Sequence, residues 1–78
     1  MDETYKQFLA EEERLFQEWR RADEAAAAAE EAAKAKMEKR AQGGPELTLE
    51  ECDEILRLRR LASKAALAVI THSRSRPI

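Results

Sequence analysis

One cysteine, one histidine, two glycines and two prolines are all that a 78-residue chain holds of these residues, and each scarcity excludes something. The lone thiol, Cys52, cannot close an internal disulfide, so a reducing compartment suits it. Cys52 and His72 together are too few to close a tetrahedral metal site. No apolar run approaches the roughly 18 residues that span a bilayer. The opening Met1-Asp2-Glu3 is acidic where a secretory signal is basic. A cytoplasmic protein is expected, with no metal, no cofactor, no small-molecule substrate and no membrane contact.

What is present is helical. Alanine, glutamate, lysine, arginine and leucine dominate, a mixture typical of long helices and coiled coils. The one strong break is Gly43-Gly44-Pro45, with Pro77 the only later proline. It divides a single domain into a helix over about 2–42, a loop at 43–47, a helix over about 48–72 and a flexible basic tail at 73–78. Asp2 is the expected N-cap of the first helix and Gly43 its C′ glycine. Thr48 and Glu51 form a capping box for the second, with Leu47 and Cys52 as its hydrophobic staple.

A short loop between long helices makes them antiparallel neighbours. Charge supports the same pairing. Residues 1–32 carry ten acids and four bases, and residues 57–78 carry six bases and no acid. Residues 33–45 are net +3 and residues 46–56 net −5. Folding at the glycines sets opposite signs side by side, which specifies orientation more than stability.

The 100° helical period gives each helix a packing stripe. On the first it holds Tyr5, Phe8, Leu15, Trp19, Ala22, Ala26, Ala29, Ala33 and Met37, flanked by Leu9 and Phe16. On the second it holds Ile55, Leu58, Leu61, Ala62, Ala65, Ala66 and Val69. Pairing Gln42 with Thr48 sets a register whose facing residue numbers sum to about 90. The alanines then allow close approach, and Arg59 meets Glu30 in a partly buried pair that fixes register.

That hairpin fails to cover itself in two places. Residues before about Gln17 have no helical partner in this register, which leaves Tyr5, Phe8, Leu15, Phe16 and Trp19 as a candidate interface. The alternatives are a tail folded over them or a first helix bent near its alanine run. The second helix is also apolar over most of its circumference, with Leu49, Leu56, Leu67 and Ile70 off the paired face. A homodimer, such as two hairpins forming a four-helix bundle, or an unidentified protein partner would cover both surfaces. Glu12 lies in the overhang, where Arg74 and Arg76 are the available bases.

No catalytic constellation emerges. Glu11, Glu12 and Glu13 lie on a helix with no pocket-forming elements around them. His72 is expected to cap carbonyls at its own helix end. The glycine pair lacks the lysine and strand of a phosphate loop. Nucleic-acid binding is the rival reading, through Arg57, Arg60, Lys64, Arg74 and Arg76. Rop shows that a dimeric helical hairpin can bind RNA in a regulatory role. Against it, the chain is net −2 and these bases also offset the acidic first helix.

The segment Tyr5-Lys6-Gln7-Phe8-Leu9, the alanine-glutamate run from Ala25 to Ala33 and the Ser73-Arg74-Ser75-Arg76-Pro77 tail resemble the small Kle proteins. Those are encoded by kil-type operons on broad-host-range IncP plasmids. The likeness spans most of the chain in size and pattern, without a diagnostic motif. It implies a bacterial plasmid-maintenance accessory protein that acts by interaction, and no catalytic or ligand residues. The expectation is therefore an all-α, non-enzymatic hairpin that serves as an interaction or adaptor protein.

Overall fold

A computed structural model describes residues 2–76, and the fold is an all-α antiparallel hairpin. Helix α1 spans Glu3–Arg40 and α2 spans Leu49–Arg74, and they pack against each other along most of their length. The molecule is a rod of 62 × 16 × 14 Å. No described helix is long and apolar enough to cross a membrane.

Local chemistry sets the helix ends. The Asp2 carboxylate accepts the Thr4 N–H at 3.3 Å, relieving one unpaired donor of the first turn. At the other end of α1, Gly43 N–H donates to the Arg40 carbonyl at 2.9 Å and Gly44 N–H to that of Lys39 at 2.8 Å. These are the paired bonds of a Schellman ending, with Gly43 at φ +92° in the left-handed region. Helix α2 opens on the complete capping box. Glu51 N–H donates to Thr48 Oγ1 at 3.1 Å, and Thr48 N–H to Glu51 Oε1 at 3.2 Å.

Gly44 is held by contact rather than by its dihedral. A Cβ there would lie 2.8 Å from the Lys39 carbonyl oxygen and 2.9 Å from its carbon. Backbone cannot swing aside as a side chain can, so G44A must break the Gly44–Lys39 bond or unwind the last turn of α1. We expect G44A to lower the thermal midpoint by roughly 5–10 °C, the shift that about 1–1.5 kcal/mol produces in a domain of this size, as read by circular dichroism.

The loop also moves the register. Residues 44–48 form no helical turn before α2 begins at Leu49. They lead the chain back beside α1, so that Lys36 Nζ meets Glu51 Oε1 at 2.5 Å. Facing residue numbers therefore sum to less than 90, and α2 reaches further toward the start of α1. It also runs to Arg74, so Ser73 and Arg74 belong to the helix rather than to the tail. Pro77 and Ile78 of the expected tail lie outside the described residues.

This covers part of the aromatic overhang that the register of 90 left without a partner, and Leu9 and Phe16 stay exposed. Phe8 is buried at 8% exposure, and its ring stacks on the imidazole of His72 with centroids 4.2 Å apart. Neither a folded-over tail nor a bent α1 is required, because α2 itself supplies the cover.

Ala26 and Ala62 are the other buried residues among those described, at 0% and 2% exposure. Methyl groups at both positions bring the helices close, and a ring of half-buried residues surrounds them, including Trp19, Ala29, Leu58, Ala65 and Val69. Two stripe residues depart from expectation. Met37 is 59% exposed, on an open depression that it shares with Leu47 and Ile55 near the start of α2. Leu61 is 46% exposed because it lies at the margin of its stripe, opposite an α1 run that offers only methyl groups.

Candidate functional site

Most of the exposed large apolar side chains among the described residues belong to α2. Leu49 is 84% exposed, Leu67 61%, Leu56 53% and Ile70 48%. Their spacing explains why α1 leaves them free. Leu49, Cys52, Leu56, Ser63, Leu67 and Ile70 follow steps of three, four and seven, the pattern of a helix–helix seam. At 100° per residue, Leu49, Leu56 and Leu67 lie about 120–140° round the helix from Ala62, which faces α1. Helix α2 thus has two apolar seams and one neighbour.

The second seam continues onto α1. Leu9 and Phe16, 37% and 39% exposed, share a shallow open depression with Val69 and Ser73 of α2. Arg59 reaches Asp23 and Glu30 on the same side of the rod. Of the residues expected at the aromatic end, Phe8 is buried, Tyr5, Leu15 and Trp19 are half-buried, and Phe16 remains exposed. Phe16 packs against Trp19 with ring centroids 5.4 Å apart.

The polar residues near this surface are mostly engaged. The Arg59 guanidinium donates to Asp23 Oδ1 at 3.0 Å and to Glu30 Oε1. The expected Glu30–Arg59 pair is therefore present, with Asp23 as a second acceptor that the register of 90 did not place there. Both carboxylates raise the pKa of Arg59, Glu30 first. These side chains are 40–46% exposed, so the group positions the helices more than it stabilises them.

His72 and Glu12 find partners other than those expected. His72 Nε2 lies 3.0 Å from the Phe8 carbonyl oxygen and donates to it across the hairpin, rather than capping its own helix end. Glu12 accepts from Ser73 Oγ at 2.8 Å, while Arg74 and Arg76 are exposed. Both contacts follow from a register below 90, which the sequence alone does not give. Cys52 is an exposed free thiol. Leu47 instead lines the loop depressions with Ala33 and Ile55.

The remaining candidate bases divide. Arg57 is committed to Glu54 within α2, at 2.8 and 2.5 Å, while Arg60 and Lys64 are exposed beside the apolar seam. Among the described residues, no group of three or more His, Cys, Asp or Glu is placed to hold a metal ion. The depressions on the surface are open troughs between two helices, not enclosed cavities.

One pair links the helices in a pH-dependent way. The hydrogen bond from Lys36 holds the Glu51 carboxyl below its ordinary 4.5, and the Thr48 N–H adds to this. A depressed folded-state pKa contributes stability at pH above 4.5 that is lost as pH falls through the lower, folded value. We expect the hairpin to lose stability below about pH 4.5 and E51Q to flatten that acid limb while keeping its cap, since glutamine also serves a capping box. Thermal melts of both proteins between pH 3 and 7 measure the difference.

Comparison with known protein families, with characterised proteins and with solved structures yields no match, so the surface geometry carries the functional argument alone.

Proposed function

We propose that this chain is a non-enzymatic protein-interaction or adaptor module that acts through the outer seam of α2 and the adjoining Leu9–Phe16 edge of α1. The observation that carries this reading is the seam itself. Four large aliphatic side chains stand 48–84% exposed, Leu49, Leu56 and Leu67 turned away from the neighbour α2 already has and Ile70 at its margin. Scattered exposed apolar residues are ordinary, whereas large aliphatic side chains repeated along one helix face, here as two pairs either side of Ser63, support a docking surface. The resemblance to Kle proteins fits the same reading and suggests a cytoplasmic accessory role in bacterial plasmid maintenance.

The test is photo-cross-linking in the cells that make the protein, with a photoreactive benzoylphenylalanine in place of Leu67. Protein adducts are expected from position 67 and not from position 17, an exposed site on the back of α1. Absence of any protein adduct at 67 contradicts the reading.

A second reading has one observation in its favour: Arg57, Arg60 and Lys64 share one side of α2. A nucleic-acid complex through them would weaken steeply with salt. No gel shift at low salt removes that reading.

A further inference from the structure

The occupant of the seam is open to inference, which rests on the interaction reading above. A compact protein of 8.9 kDa exposes about 4,800 Å². This rod exposes 6206 Å² and has a radius of gyration of 18.0 Å, against about 11.5 Å for a compact chain of its length. The excess of about 1,400 Å² exceeds the roughly 800 Å² that each partner contributes to a standard interface. The hairpin therefore has surface enough to spare for a partner.

Charge selects the other half. If α2 lay antiparallel on a second α2 about the middle of the seam, Arg60, exposed at its margin, would lie at the level of the partner's Arg60. Such like-charge contacts at an interface oppose binding. The seam and its basic flank call for an acidic helix with an apolar edge. Within this chain α1 is that helix: residues 1–32 carry ten acids against four bases, and Leu9 and Phe16 line its free edge.

We propose that the seam is filled by a second copy of this chain, with α1 of each copy against α2 of the other and the two-fold axis parallel to the helices. This four-helix assembly repeats between chains the charge match that aligns the helices within one chain. It sets Phe16 at the level of the partner's Ile70. It also encloses the Asp23–Arg59–Glu30 cluster, half-exposed in a single hairpin, where paired polar groups fix register.

Sedimentation equilibrium of the purified chain tests this. The expected mass is twice that of one chain, falling to one chain in L67K at concentrations at least 100-fold higher than for wild type. Because L67K could unfold once its partner is lost, a second experiment keeps the question decidable. F16C/C52S chains are mixed with I70C/C52S chains and oxidised. A mixed disulfide dimer, formed in preference to either self-linked species, is expected. Wild type monomeric at every concentration overturns the proposal. Preferential linkage in a mixture of L49C/C52S and I70C/C52S chains also overturns it, since that marks α2 against α2. If cells give adducts at position 67 to other proteins and the purified chain is monomeric, the second copy is excluded while the interaction reading stands.

Discussion

F8A is expected to cost about 3 kcal/mol, the low end for removing a buried phenylalanine, because the ring has neighbours on only some sides. Phe8 is the one large side chain among the described residues that the fold buries, at 8% exposure. It stacks on His72 at 4.2 Å and lies 6.5 Å from the Tyr5 ring. A two-helix chain of this size has only a few kcal/mol of stability in total, so the loss should release the end of α2. Amide hydrogen exchange should show protection lost first over the last two turns of α2, with the capping box retained longest. An α1 overhang without cover predicts the opposite, since truncating an exposed ring changes stability by less than about 0.5 kcal/mol.

A26L is expected to act at the centre of the rod. Ala26 is 0% exposed and Ala62 2%, so nothing larger than a methyl group fits between the helices at that level. Leucine forces the axes apart and loosens every half-buried contact around it, an overpacking cost of about 2–3 kcal/mol. That corresponds to a fall in thermal midpoint of roughly 10–20 °C by circular dichroism. A28L, at an exposed alanine two residues along, supplies the control and should change the midpoint little, because leucine and alanine are both good helix formers.

The helix ends were legible in the sequence because their chemistry is local. Asp2, the Thr48–Glu51 box and the Gly43-Gly44 ending each satisfy backbone groups within a few residues, so spacing alone places them. Antiparallel pairing was legible from charge, and the Glu30–Arg59 pair from a register that was only approximately right. The register itself depends on the path of residues 44–48, which local chemistry does not fix. That displacement carried the rest. It brought His72 over Phe8 and Ser73 to Glu12, which closes part of the aromatic overhang and leaves Leu9 and Phe16 exposed at its edge. The outer seam of α2 survived, because the excess of apolar residues round that helix does not depend on register.

Central to this account is a division of apolar surface: the Phe8 end is closed by its own chain, and the α2 seam stays open for another. An isotope-filtered nuclear Overhauser experiment on an equal mixture of labelled and unlabelled chains measures it directly. The account predicts Phe8–His72 ring contacts within a chain and none between chains. Contacts between the Phe8 and His72 rings of different chains would contradict it, because the two helices would then be pairing across molecules rather than closing as a hairpin.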